Sequence, residues 1–137
     1  MAAEIKPEFA ERIRASIFTW FTTVREDGMP QPTPVWFVPD GDGFIIYSTP
    51  QAQKVKNILK NPNVAMSFAW DDEAGSFFVV MGEARIDPSI PSPIKHSDYF
   101  TKYQQGITDI DMTPASFEQA FSTGIRVTPT HVRGNLE

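Results

Sequence analysis

Apolar and polar positions along the chain change period several times, and each change marks an element. Pro7 followed by Glu8, Phe9 and Ile13 predicts a short helix, with proline at its first position, acid in its first turn and an apolar stripe at four-residue spacing. Residues 16–24 then alternate. Phe18, Trp20, Thr22 and Val24 share one face and Ile17, Thr19, Phe21 and Thr23 the other, as in a strand. Glu26-Asp27-Gly28 predicts a turn. In residues 29–39, Pro30, Pro32 and Pro34 fall on every second position ahead of Val35-Trp36-Phe37-Val38. Proline has no N–H for a ladder, so this stretch must be an edge, a bulge, or a strand that turns those nitrogens away from its partner.

Asp40-Gly41-Asp42-Gly43 predicts a second turn, and residues 44–47 a further strand. Ser48-Thr49-Pro50 reads as a hydroxyl cap with proline at the first helical position. Ala52, Val55, Ile58 and Leu59 then form the buried face of a helix that Asn61-Pro62 ends. Residues 64–70 and 76–86 predict strands around a polar turn at 71–75, residues 88–93 a Pro/Ser loop, 95–103 and 113–121 helices, and 124–132 the last strand. About six strands at hairpin spacing, with few helices between them, predict a mainly β (α+β) fold: a small closed antiparallel barrel with peripheral helices. Neither a linker nor an internal repeat divides it, so residues 1–137 read as a single domain.

Composition narrows the function classes. With 137 residues, 41% of them hydrophobic, the chain can fold around its own core without staples. It has no cysteine, which excludes disulfides, thiolate metal sites and cysteine nucleophiles and agrees with a cytoplasmic location. Seventeen acidic against twelve basic residues leave a net charge of −5, unsuited to general nucleic-acid binding. No apolar run approaches the roughly 20 residues of a membrane helix, so no membrane role is expected.

Candidate chemistry is correspondingly sparse. His96 and His131 stand far apart with no acid at ligand spacing and read as loop or surface histidines; no metal site is predicted. Asp71-Asp72 and Asp109/Asp111 read as turn residues, and neither a Gly-x-Ser-x-Gly elbow nor a glycine-rich phosphate loop occurs. Two features remain. Tyr47-Ser48-Thr49, running into a helix that carries Lys54 and Lys56, could seat a phosphate at a helix N-terminus. A capped amphipathic helix with solvated lysines accounts for the same residues. Trp36, Phe37, Tyr47, Phe68, Trp70, Phe77 and Phe78 could wall a flat ligand, or simply pack a core.

Six segments in order carry a resemblance: Thr-Val-Arg-Glu-Asp-Gly-Met-Pro-Gln (23–31), Pro-Val-Trp-Phe (34–37), Ile-Tyr-Ser-Thr (46–49), Gln-Lys-Val-Lys-Asn-Ile (53–58), Asn-Pro-Asn-Val-Ala (61–65) and Met-Gly-Glu-Ala-Arg-Ile (81–86). Together they resemble the pyridoxamine 5′-phosphate oxidase-like split-barrel flavoproteins, with the closing Ile-Arg-Val-Thr-Pro-Thr-His-Val-Arg-Gly (125–134) similar to the deazaflavin-dependent branch. The resemblance implies a six-stranded split barrel working as a homodimer, with F-420 or FMN at the subunit interface and a small unsaturated substrate. It assigns the phosphate to Lys54, assisted by Lys56, and places Gln53 where the oxidases carry a basic residue. Tyr47, Ser48 and Thr49 stand at the strand end beside the phosphate, and Thr33, Pro34, Val35 and Trp36 run under the ring. From the aromatic set above, and not from the resemblance, Trp70 and Phe77 join these as candidate cofactor-binding residues.

Departures from the oxidase pattern shape the expectation. Ser76-Phe77 replaces an Arg-Gln pair, the flanking Arg and Lys of the 33–38 strand are missing, and Arg126 and Arg133 occur without the terminal Trp. Pyridoxamine-phosphate oxidation is therefore not expected, and a deazaflavin suits the thinner basic set. The expected function is a flavin- or deazaflavin-dependent oxidoreductase with no assigned catalytic residue. The alternatives are a non-catalytic FMN, haem or tetrapyrrole carrier on the same barrel, and a dimeric barrel without ligand.

Overall fold

A computed structural model describes residues 3–137. Its elements run α1 (Pro7–Ala15), β1 (Thr19–Val24), β2 (Pro30–Val35), β3 (Val38–Asp40), β4 (Gly43–Ser48), α2 (Gln53–Lys60), β5 (Asn63–Ala69), β6 (Phe77–Ile86), α3 (Ser97–Asp109), α4 (Pro114–Ala120) and β7 (Thr123–Asn135). All strands join one antiparallel sheet in the order β2-β1-β5-β6-β7-β4-β3. The sheet curls around Phe21, Phe37, Phe44, Ile46, Met66, Val80 and Ile125. This is the split-barrel class, with seven strands instead of six.

The extra strand comes from the proline stretch, which breaks in two. β2 pairs with β1 from Thr19↔Val35 to Val24↔Pro30, and β3 pairs with β4 from Val38↔Ile45 to Asp40↔Gly43. In an antiparallel ladder only alternate residues face the partner, so Gln31, Thr33 and Val35 supply the donors to β1 and the prolines face outward. The outer edge of β2 therefore carries carbonyls with no N–H groups at three positions. Continuing the β3–β4 register would set Trp36 beside Tyr47 and Val35 beside Ser48. Instead the chain forks at Phe37, and no β2–β3 or β2–β4 pairing closes the barrel among the described residues.

A helix side chain satisfies the backbone at that fork. The Tyr103 hydroxyl on α3 accepts from the Phe37 N–H at 2.9 Å and lies 2.6 Å from the Ile17 carbonyl and 2.9 Å from the Phe37 carbonyl, either of which its proton can serve. Lys102 Nζ donates to the Phe37 carbonyl at 3.1 Å and sits 4.0 Å above the Phe37 ring. Trp36 stacks on Tyr103 with centroids 4.6 Å apart, and Gly106 lets the indole approach, because a Cβ there would stand 3.1 Å from its edge. The helices form a second core on the outside of β3 and β4, with Val38, Ile45, Tyr47, Tyr99, Ile107 and Phe117.

Several local expectations change. α2 starts at Gln53 with Ala52 as its N-cap and no side-chain cap, instead of at Ser48-Thr49-Pro50. Ser48 ends β4 opposite Thr123, its hydroxyl donates to the Thr49 carbonyl, and the Thr49–Ala52 turn intervenes. Leu59 is 71% exposed, whereas Asn57 joins Val55 and Ile58 on the buried face. α3 runs six residues beyond Tyr103, capped by His96 Nδ1 accepting from the Tyr99 N–H at 3.3 Å, and β7 extends to Asn135. The Asp71 carboxylate accepts from the Glu73, Gly75 and Ser76 N–H groups, which holds its pKa below the usual range. Around the β3 end, Arg126 bridges Asp40 at 3.5 Å and Asp87 at 3.4 Å, tying β7 to β3 and to the residue that follows β6.

Two outcomes follow. Tyr103→Phe leaves the buried Phe37 N–H without an acceptor and should lower unfolding stability by roughly 1–3 kcal/mol in urea titrations; an unchanged midpoint would show that the fork closes without it. Burial pulls the Lys102 pKa down from 10.5 to about 8. Between those values the unfolded chain binds more protons than the folded one, so this group adds stability as pH rises. The buried tyrosines, shifted upward by burial, act in the opposite sense above about pH 10, where unfolded tyrosines ionise. Urea titrations between pH 8 and 10 should therefore show wild type gaining on Lys102→Met, and parallel curves would refute the assignment.

Candidate functional site

The fork leaves a cleft of about 220 Å³. Seven of the sequence-predicted residues line it: Pro34, Val35 and Trp36 from the end of β2, Tyr47, Ser48 and Thr49 from the end of β4, and Lys54 from the first turn of α2. The four residues that a continued ladder would have paired, Val35, Trp36, Tyr47 and Ser48, are all among them. The cleft exists because that ladder stops.

α2 is set in place by a buried amide. Asn57, 3% exposed, donates from Nδ2 to Thr23 Oγ1 and Gln31 Oε1, both at 2.9 Å, and its Oδ1 accepts from Gln53 Nε2 at 2.9 Å. One side chain thus ties α2 to β1 and β2, with both of its N–H donors and its carbonyl oxygen engaged. Lys54, on the same first turn, has no carboxylate within ion-pair distance among the described residues, and burial lowers its pKa. It is a cation at a cleft with no counter-ion.

The opposite wall comes from the helical pair. Tyr99, Ile110, Phe117 and Phe121 line the cleft from α3, the α3–α4 turn and α4 and its end. Trp36 is held between Tyr103 and Phe117, whose ring lies 5.8 Å from it. Sequence reasoning missed these four residues. The available signal was the pairing of Tyr99 with Tyr103 and of Phe117 with Phe121, aromatic residues four apart in predicted helices.

Other predicted site residues stand outside this cleft. Gln53 is exposed, with its amide engaged by Asn57, and Lys56 faces solvent. Thr33 is on the lining strand β2 but is not among the residues of the cleft, and its Oγ1 is sealed and unpartnered. Trp70 donates from Nε1 to Ser16 Oγ at 2.9 Å beneath Arg12, and Phe77 pairs with Ala69 and Asn135 below Arg133. Trp70 directly follows β5 and Phe77 opens β6, and the order of the sheet sets β7 between those strands and β4. His96 is the α3 cap and His131 is exposed on β7.

The polar groups of the cleft differ in availability. Tyr47 Oη donates to the Pro91 carbonyl at 2.6 Å, and burial, with the Asp40 charge adding to it, raises its pKa. Ser48 Oγ is engaged by Thr49. A larger cleft of about 520 Å³ lies between the N-terminal segment, α1 and the β3–β4 turn. Glu4, Arg14 and Asp42 line it with both charge signs, and no predicted site residue faces it.

Comparisons with known proteins agree with this architecture. The chain aligns with a solved F420 reductase at 29% identity, covering 85% of this chain and 89% of that one, with a TM-score of 0.66. It shares its fold with HutZ, the haem storage protein from Vibrio cholerae, at 15% identity, 96% and 95% coverage and a TM-score of 0.66. A conserved hypothetical protein of Mycobacterium tuberculosis superposes with a TM-score of 0.72 at 17% identity, over 97% of this chain and 85% of the other. No curated protein matches by sequence. Among the described residues no helix is long and apolar enough to cross a membrane. The sequence model described as pyridoxamine 5′-phosphate oxidase matches residues 5–135, and the chain belongs to that family.

Proposed function

We propose that the chain is a flavin- or deazaflavin-dependent oxidoreductase acting as a homodimer, with F-420 or FMN held in the cleft at the β2–β4 fork. One observation carries the reading: residues from three separate segments meet on this cleft beside Lys54, a half-buried ammonium with no counter-ion. The likeness to an F420 reductase supports it.

The residues present fit such a group. An anionic phosphate beside Lys54 would supply the missing countercharge, and Ala52 leaves the start of α2 without a side-chain cap, so its first N–H groups are available to the same anion. Bound there, the cofactor would supply the hydride chemistry while the protein provides position and electrostatics. Lys54 binds the anionic end. Pro34 and Val35 give a stiff strand surface, and Trp36, fixed by its two aromatic neighbours, borders the ring. The cleft is smaller than the roughly 300–1,000 Å³ of a complete small-molecule site, which favours a second copy supplying the remaining wall. With Gln53 neutral and Lys54 alone in the cleft, F-420 is favoured over FMN, and oxidation of pyridoxamine phosphate is disfavoured. Among the described residues no histidine, methionine or cysteine lines the cleft, and burial holds its two tyrosines, Tyr47 and Tyr99, away from the phenolate form that a haem iron takes, which favours a flavin over haem.

Titration of the purified protein with F-420, read by its fluorescence, and with FMN should show binding by a species that sediments as a dimer. Lys54→Ala should weaken that binding by about 1.5–3 kcal/mol, the strength of a charged hydrogen bond, with stability moving by less than about 0.5 kcal/mol. Failure of both cofactors to bind at micromolar concentration, or unchanged affinity in the variant, would overturn the reading.

A further inference from the structure

Tyr99 is the least accessible polar residue of the cleft, at 1% exposure. It occupies the third position of α3, where His96 accepts its N–H. Its ring is boxed by Tyr47 at 4.7 Å and 78°, by Tyr103 at 4.8 Å and by Phe117 at 6.5 Å. The side chain is therefore held rigidly.

Its hydroxyl is nevertheless free. The neighbouring tyrosines are engaged, Tyr47 with Pro91 and Tyr103 with Phe37 and Ile17, but Tyr99 Oη makes no hydrogen bond among the described residues. Buried phenols normally find partners, because leaving one unpaired costs free energy. Thr33 Oγ1 is the one side-chain polar atom both sealed and unpartnered among the described residues. Tyr99 Oη is thus not sealed, and Tyr99 is one of the residues that line the cleft. Burial, with Tyr103 and Tyr47 nearby, raises its pKa, so the group stays a protonated donor through the neutral range. Lys54, lining the same cleft, is a second unengaged donor, and no acidic side chain lines the cleft to accept from either.

We propose that the Tyr99 hydroxyl is the specificity-determining donor of this cleft, taking a carbonyl, enolate or phenolate oxygen of the small molecule bound there. The proposal rests on the cleft being the ligand site of the oxidoreductase reading and adds the chemical class that the site selects. A hydroxyl on a rigid helix, in an otherwise apolar wall, discriminates strongly, because a ligand without an oxygen leaves it unpaired after water is expelled.

The test uses 4-nitrophenolate as an oxyanion probe, followed by its absorption on cofactor-free protein, with wild type and Tyr99→Phe compared. Wild type should bind the probe and the variant should lose about tenfold or more in affinity, the loss expected for a hydrogen bond to a charged oxygen. The variant's melting temperature should stay level or rise, since no internal bond is removed. Equal affinities, no binding to wild type, or a melting temperature lowered by several degrees would each overturn the proposal. Because the probe needs no cofactor, the two readings fail separately. Probe binding that depends on Tyr99 without cofactor binding would sink only the cofactor reading. Cofactor binding with a probe indifferent to Tyr99 would sink only this one.

Discussion

Three missing N–H groups shape this protein. Pro30, Pro32 and Pro34 occupy the outward-facing positions of β2, so that edge can accept hydrogen bonds at those positions but not donate them. No strand can ladder along it, which blocks edge-to-edge association and also prevents the sheet from closing on itself. The chain leaves β2, crosses as Trp36-Phe37 and pairs with β4 only from Val38 onward. A fork in a curled sheet exposes backbone, and exposed backbone in a core must find partners. Tyr103 and Lys102 on α3 meet the Phe37 groups, so the helix plugs the split while leaving a cleft above it.

The position of the cleft has chemical consequences. One wall is strand end and helix start, with the α2 pitch set by the Asn57 network; the other is the aromatic face of α3 and α4. Both walls contribute donors in desolvated surroundings, where a hydrogen bond or ion pair with a ligand is stronger than in water. Lys54 and Tyr99 have pKa values moved in opposite directions by the same cause, burial, which disfavours the ammonium of one and the phenolate of the other. An acceptor-rich ligand relieves the first strain and exploits the second. The larger cleft near α1 offers no such convergence, since Glu4, Arg14 and Asp42 present opposing charges.

Much of this was legible in the sequence wherever local chemistry decides local structure. Alternation in β1, the Asp27-Gly28 turn and the Thr113-Pro114 start of α4 all form as read, the last with Thr113 and Ser116 in a reciprocal capping pair. Proline periodicity left an edge, a bulge or an outward-turned strand open, and β2 is an edge strand with its prolines turned outward. The periodicity could not announce the split, because whether residues 29–39 make one strand or two depends on Tyr103, far along the chain. The start of α2 was misplaced because Ser48, a good cap by type, is held in β4 by its pairing with Thr123, a long-range contact that overrides the local preference. Leu59 and Asn57 exchanged roles for a similar reason: apolar spacing says nothing about a buried amide that bonds two strands. In the cleft, the strand and α2 residues were visible as ordered motifs, whereas Tyr99, Phe117 and Phe121 become neighbours of Lys54 only through packing of the helical pair.

The central claim, that the unclosed ladder beside the proline edge is where a ligand enters, is tested most directly by mapping amide and indole NMR shifts of the labelled protein during titration with F-420 and FMN. The account predicts shifts concentrated at Val35 and Trp36, Tyr47 to Thr49, the first turn of α2 and Tyr99. Shifts gathered instead around Ile5, Ile13 and the β3–β4 turn, or none with either cofactor, would contradict it.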